Sequence, residues 1–261
     1  TWLRRQRQMC IRDRARLRNY LIRAKKSLYA SIILCGLIVG VDLYLGDIEF
    51  VTQSLEVGFT LAFILFVFFF LITKDDNPVD IIISGAEGET TVLDELKKLD
   101  NNFVLFNRVV LPDEKSTVGN REIDFIAISR KSIYIIEVKN NRGYIEVENM
   151  AERWNVSKTS QNNKVYAKTI KNPIRQTFAQ KKVLQTYLYK QKIYIKGIPV
   201  VTIVIFANDD AQLSENFIAD DANQAVLSLG NLIPFIKAKE EYLEKMPTRS
   251  RRKIIRKIEK K

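Results

Sequence analysis

Three charged residues stand where apolar strands are expected to run. Asp124 lies in EIDFIAIS, and Glu137 and Lys139 lie in IYIIEVKNN, two strand-like segments separated by a very short turn. Strand side chains alternate with period two, so the length of the turn decides which of them meet. With Arg130-Lys131 as a two-residue hairpin loop, Asp124 falls opposite Glu137. With the turn moved one residue along, it falls opposite Lys139 instead, and both registers set all three side chains on one face. A three-residue loop would pair Asp124 with Val138 and scatter the cluster unless a bulge intervened.

Two carboxylates and an ammonium converging between apolar strands cost on the order of several kcal/mol if left uncompensated. A divalent cation would offset that. Carboxylate oxygens suit Mg²⁺ or Mn²⁺, which keep several waters and accept phosphate oxygens in their remaining positions. Such an ion lowers the pKa of a bound water, and Lys139 is placed to orient that water or to stabilise developing negative charge. The alternative is an ordinary Glu-Lys ion pair on a solvent-facing strand, and E-x-K alone does not separate the two.

The composition narrows the chemistry further. The chain has no histidine, which removes Ser-His-Asp and Cys-His catalysis, His-ligated zinc and any imidazole base. Its two cysteines, Cys10 and Cys35, sit in a basic arm and an apolar run, so neither reads as a disulfide framework or a metal site. The main domain is therefore expected to face a reducing compartment.

The elements that must position the three residues follow from periodicity. Residues 85–99 predict a helix with Val92, Leu93, Leu96 and Leu99 on one side. Strands are expected at 103–110, 122–129, 133–139 and 144–147. Asn172-Pro173 punctuates the start of a helix reaching to about 190, with proline in its first turn. The run PVVTIVIFA at 199–207 is apolar throughout, as a strand buried on both faces would be. A strand near 225–229 and a helix at 231–245 follow. Together these give an α/β domain over 80–245. Gln176 and Gln180 lie one turn apart on their helix and can face one way, although an exposed amphipathic face explains that spacing equally well.

Outside this domain the charge is uneven. The net charge is +12; residues 1–26 hold ten Lys or Arg against Asp13 alone, and residues 237–261 hold eleven against four acids, so the stretch between these ends carries −4. The first residue is Thr, so the chain is expected to be a fragment or a translated read, and QMCIRDR at 8–14, which resembles translated sequencing-adapter sequence, is set aside from fold reasoning as a scar. The apolar runs 28–45 and 57–73, broken only by Asp42, each predict a helix roughly 26 Å long at ~1.5 Å per residue, close to the ~30 Å hydrocarbon core of a bilayer. The loop between them has Asp47, Glu49 and Glu56 but no Lys or Arg. By the positive-inside rule this predicts a transmembrane hairpin at 28–73 preceded by a basic arm at 1–27, with both termini and the α/β domain cytoplasmic. Residues 246–261 are expected to be a basic tail. Its Ile254, Ile255 and Ile258 at helical spacing suggest binding to anionic lipid headgroups or to nucleic acid.

The order GAEGE (85–89), NRVVLP (107–112), GNREIDFIAIS, IYIIEVKNNRG, Trp154 and NPIRQ (172–176) resembles the nuclease-related domain family, abbreviated NERD, over roughly residues 82–200. That family is placed in the PD-(D/E)XK nuclease superfamily. The resemblance implies a restriction-endonuclease-like α/β core, a central mixed sheet flanked by helices, here preceded by two transmembrane helices. It further implies Asp124 and Glu137 as metal ligands, Lys139 as the catalytic lysine, Glu89 as an additional acid from the first helix and Gln176 as a polar residue lining the site. Glu87 competes with Glu89, because acids in a helix's first turn also simply complement its dipole. Ile123 stands where the superfamily's name pattern has proline. The implied function is a membrane-anchored, Mg²⁺- or Mn²⁺-dependent nuclease hydrolysing phosphodiester bonds, DNA in preference to RNA. The alternatives are a binding module that keeps the fold without cleaving and a membrane protein whose α/β domain recruits a partner.

The charge asymmetry yields a direct test of topology. In a background with Cys10 and Cys35 changed to serine, Ser54→Cys on intact cells should react with an impermeant thiol reagent and Ser214→Cys should not. The reverse pattern rejects the cytoplasmic placement of the domain.

Overall fold

The computed structural model describes residues 78–159, 165–215, 217–219 and 223–261, together with Tyr44. The basic arm and, Tyr44 apart, both apolar runs lie outside the described residues, and so does the hairpin expected of them. Among the described residues no helix is long and apolar enough to cross a membrane. Residues from Ser84 to Lys261 belong to one compact unit.

Helix α1 (Pro78–Leu96) opens on a proline, which lacks the N–H that a first turn leaves unused. It buries Val92, Leu93 and Leu96, with Leu99 in the turn beyond, on the side their spacing predicts. Strands β1 (Val104–Pro112), β2 (Asn120–Ile128) and β3 (Ile133–Lys139) follow as an antiparallel meander. The β2–β3 ladder runs from Ile128↔Ile133 to Phe125↔Ile136 around Arg130-Lys131, the first of the two registers above. Ser129 N donates to Ser132 O at 3.1 Å to close the turn.

The chain continues through β4 (Gly143–Ile145), β5 (Arg153–Thr159), β6 (Val165–Lys171), α2 (Pro173–Lys190), β7 (Val200–Phe206), β8 (Ala211–Leu213), β9 (Phe217–Ile218) and β10 (Gln224–Ser228). A 3₁₀ turn (Leu229–Asn231) leads into α3 (Leu232–Tyr242), and α4 (Thr248–Ile258) follows. One six-stranded sheet has the order β1-β2-β3-β7-β10-β9, antiparallel through β3 and parallel across β3, β7 and β10. A second, four-stranded sheet has the order β6-β5-β4-β8. These are mixed sheets flanked by helices, as an α/β nuclease-like core requires.

Three apolar clusters hold the layers together. On one face of the main sheet α1 and α3 pack over Leu105, Phe125, Tyr134, Ile136 and Ile203. On the other, α2 packs over Ile126, Ile128, Ile133 and Ile135. The second sheet covers the remainder of that face, setting Trp154 and Val156 against Val204, Phe206 and Val226. All seven residues of β7 are buried, which accounts for its unbroken apolar run. Strands β5 and β6 escape a reading by periodicity because RWNVSKT and VYAKTIK place few residues in the core, chiefly Trp154 and Val156, and are otherwise polar.

The C-terminal segment departs from the expectation of a separate basic tail. Helix α4 inserts Ile254, Ile255 and Ile258, at most 8% exposed, into the cluster formed by α2 and the meander. Arg251 ties the same helix to the turn and to the α1–β1 loop, donating to Ser129 O at 2.7 Å and Asn102 O at 2.6 Å. The isoleucine stripe is thus consumed by the fold, and only the cations on the opposite side, among them Arg252 and Lys253, face outward. A neighbouring anchor comes from α3, where Glu240 Oε1 accepts from Ser129 Oγ, Ser132 Oγ and Tyr134 Oη at 2.6–2.8 Å.

Truncating a fully buried isoleucine costs about 2–5 kcal/mol. Ile254→Ala should lower the urea unfolding stability of the protein by that amount, whereas Arg252→Ala, on the exposed side, should change it by about 0.5 kcal/mol or less. Equal effects would mean that α4 is not part of the core.

Candidate active site

Glu137 sits near the C-terminal end of β3, on the face covered by α2, with its side chain 4% exposed. A carboxylate this deeply buried needs donors on both oxygens. Lys139 Nζ and Gln176 Nε2 each donate to Oε1 at 2.6 Å, and Gln180 Nε2 donates to Oε2 at 2.7 Å. Lys139 also donates to Gln176 Oε1 at 3.1 Å, so the ammonium, the amide and the carboxylate form a closed triangle.

Helix α2 can supply both glutamines because its start is fixed. Asn172 caps it by accepting from Ile174 N at 2.9 Å, Pro173 occupies its first position, and Asn172 Nδ2 donates to the carbonyls of Glu148, Asn149 and Ala151. That cap sets the helix phase, and the next two turns carry Gln176 and Gln180 past β3. Gln180 is completely buried, donates also to Glu122 O at 3.1 Å, and its Oε1 has no hydrogen-bond partner among the described residues. Its spacing from Gln176 left it open whether it faced the site or solvent; it faces the site.

Asp124 arrives by a different route from the one strand alternation suggests. The β2–β3 ladder ends at Phe125↔Ile136, and Asp124 Oδ2 accepts from Val138 N at 2.8 Å instead of standing as a ladder partner of Glu137. Across β2, the β1 ladder skips the pair between Asn107↔Phe125 and Val109↔Ile123, where Arg108 has φ +51°. Ile123 and Ile126 both lie in the cluster under α2, so the alternation breaks at Asp124. A left-handed residue that is not glycine is uncommon, and such strain gathers where a structure holds a residue for a purpose.

The same Arg108 takes Glu89 from α1 in a bidentate pair, Nε to Oε2 at 2.6 Å and Nη2 to Oε1 at 2.9 Å. Glu87, the competing acid, is exposed. Helix α1 comes this close because of Gly88, where an added Cβ would stand 2.9 Å from Asn140 Cβ. Asn140 in turn donates to Ser84 O at 2.7 Å, pinning α1 to the end of β3. Neither Arg108 nor Gly88 was identifiable from the sequence as a site residue, although both lie inside the quoted motifs NRVVLP and GAEGE. Trp154 is core: it is fully buried, donates to Glu148 O at 2.7 Å and stacks on Phe206.

Electrostatically the site holds more negative charge than it comfortably carries. Burial, then the neighbouring carboxylate of Glu137 and, more weakly, that of Glu89, push the Asp124 carboxyl well above the usual carboxylate range, against the pull of the Val138 N–H and Lys139. Among the described residues no group of three or more acids or sulfur or imidazole donors is arranged to hold a metal ion, which agrees with the commitment of Glu89 to Arg108. Two carboxylates remain. Asp124 has only Oδ2 engaged among the described residues, and Glu137 Oε2 accepts one donor and keeps its second lone-pair site, while Oε1 already accepts two. Mg²⁺ and Mn²⁺ bind through one or two carboxylates and keep waters elsewhere, so this donor set fits a hard divalent cation.

Residues 84–207 match the family described as Nuclease-related domain, an extent close to that of the sequence resemblance. No curated protein and no solved structure matches the chain.

The raised Asp124 carboxyl makes a signed prediction. The folded chain keeps a proton there at pH values where the unfolded chain, near 3.8, has released it, so stability falls as pH rises through that window. In EDTA, Asp124→Asn should therefore be more stable than the parent protein, by a margin that grows as the pH is raised from about 4 toward neutral. A variant less stable than the parent at the upper end would show that Asp124 is an ordinary structural carboxylate.

Proposed function

We propose that the nuclease-related domain at residues 84–207 hydrolyses phosphodiester bonds of nucleic acid, DNA in preference to RNA, with Mg²⁺ or Mn²⁺ as its cofactor. The observation that carries this reading is the convergence of a destabilised Asp124 carboxyl with the buried Glu137–Lys139 pair at the mouth of two parting strands. Asp124 and Glu137 are the residues that would hold the cation. Bound there, it would supply a water of lowered pKa and neutralise charge on the phosphate.

The remaining groups have separable roles in this reading. Lys139 brings positive charge to the phosphate oxygens as negative charge develops on them. Gln176 and Gln180 hold Glu137 by neutral hydrogen bonds, which fix its rotamer without cancelling its charge. Glu89, held by Arg108, adds negative potential beside Asp124 without needing to coordinate. Residues 28–73 would anchor the domain at the cytoplasmic face of a membrane, and the outward cations of α4 would meet anionic headgroups there.

One observation favours a second reading, a non-cleaving nucleic-acid-binding or partner-recruiting protein. Both Glu137 oxygens already accept strong N–H donors, and Glu89 is committed to Arg108. A site satisfied in this way can keep its fold without turnover.

The two readings differ in the behaviour of variants. Asp124→Asn and Glu137→Gln should abolish cleavage and weaken Mn²⁺ binding together, because each removes an anionic ligand at constant size. Lys139→Ala should retain Mn²⁺ binding while its rate falls about 10²-fold or more, and Gln176→Ala should be milder. Absence of Mn²⁺ binding in the parent protein, with variants indistinguishable from it on DNA and RNA panels, rejects the nuclease reading.

A further inference from the structure

The second sheet carries a cationic patch whose position the main-sheet chemistry does not explain. Lys158, Tyr166 and Lys168 share one face of the β5–β6 ribbon: Lys158 is paired directly with Tyr166, and Lys168 lies two residues along from it. Tyr166 is 60% exposed and Lys168 is exposed, while Lys158 is half-buried. Arg142, at the entry to β4, lies close enough to join them. Burial, and then the charges of Lys168 and Arg142, hold the Lys158 ammonium below its usual range. Like charges gathered this way oppose one another, and none of the three cations makes an ion pair among the described residues. The outer face of the same sheet carries a mixture of charges, Arg153 paired with Lys171 and, beside Tyr144, Glu146 bonded to Asn155 at 2.9 Å.

The patch also looks toward the candidate active site. The face of β5 that bears Lys158 buries Val156 and Trp154 against Val204 and Phe206, and those two residues are the β7 partners of Glu137 and Lys139. Arg142 follows Lys139 by three residues, so their Cα atoms are at most about 11 Å apart. The turn is held tightly: Gly143 has φ +93°, and a Cβ there would stand 2.2 Å from Ser157 O, so only glycine lets the chain pass from the Lys139 strand into the ribbon.

We propose that the Arg142–Lys158–Lys168 patch with Tyr166 is a binding track for a single strand of nucleic acid, leading it to the Asp124–Glu137–Lys139 site. Cations spaced along a ribbon follow the phosphate backbone, and an exposed aromatic ring among them offers a stacking surface to an unpaired base. A base within a duplex is already stacked and cannot use that ring, so the pairing of Lys158 with Tyr166 selects the single strand. The proposal rests on the nuclease reading only for where the strand leads, and binding is measurable without cleavage.

The test is fluorescence anisotropy of the full chain in EDTA with a labelled oligothymidylate and with a labelled hairpin duplex. Lys158→Glu/Lys168→Glu should weaken oligothymidylate binding at least tenfold and lower its log-log salt slope by about 1.4, two contacts at ~0.7 each. Tyr166→Ala, at an exposed position, should weaken the single strand about tenfold and leave the duplex unchanged. Arg252→Glu/Arg256→Glu on α4 is the control and should change neither. The track is rejected if the ribbon variants bind oligothymidylate like the parent protein, if the duplex loses as much as the single strand on Tyr166→Ala, or if the ribbon variants lose only binding to phosphatidylglycerol vesicles. Absence of Mn²⁺-dependent cleavage by the parent protein, with this binding pattern intact, counts against the nuclease reading alone.

Discussion

The buried carboxylate of Glu137 is the constraint around which the rest is arranged. A carboxylate at 4% exposure has given up most of its hydration, and only dense donation in return makes it tolerable. Three donors from two elements provide it, and each imposes a requirement on the chain. Lys139 must lie two residues on along the same strand. Gln176 and Gln180 must lie one turn apart on a helix whose start is fixed to the residue by Asn172 and Pro173. The crossover from β3 to β7 must then bring that helix back over the same face, which it does with Glu137 in register with Val204.

Asp124 is held by the opposite logic. Where Glu137 accepts three donors, Asp124 is left with one, in the opening where β2 and β3 separate and the β1 backbone turns left-handed at Arg108. Arg108 serves two neighbours with one conformation. Its backbone breaks the alternation that would otherwise bury Asp124 in the ladder, and its guanidinium holds Glu89 at the site's edge. The fold therefore surrounds one acid of the pair with donors and leaves the other with a single backbone N–H.

Much of this was legible in advance because it follows from local rules. The β3 limits, the capped start of α2 and the doubly buried β7 all depend on near neighbours in sequence, whereas the turn between β2 and β3 was one of three that the sequence left open. What stayed hidden depends on partners far along the chain. The break at Asp124 needs Arg108 from another strand, and Glu89 could be separated from Glu87 only by what it meets. The fate of Gln180 was undecidable while its spacing matched an exposed face equally well. Strands β5 and β6 are too polar to announce themselves, since one is an edge and both bury little. The isoleucines of α4 were correctly placed on one side of a helix, but periodicity cannot say whether such a stripe meets a lipid surface or the protein's own core.

The docking of α4 has a consequence for how the protein comes into being. The meander that holds Asp124 and Glu137 is made early, yet Ile126, Ile128 and Ile133 share their apolar cluster with residues more than a hundred positions later, and Arg251 reaches back to Asn102 and Ser129. During synthesis the ribosome therefore releases an incomplete domain, with an uncovered aliphatic face, until the α4 segment emerges. Contacts of such sequence separation close late and slowly. A chain cut short before Thr248 would present that face to chaperones and proteases, so only completed copies are expected to accumulate with an assembled charge cluster.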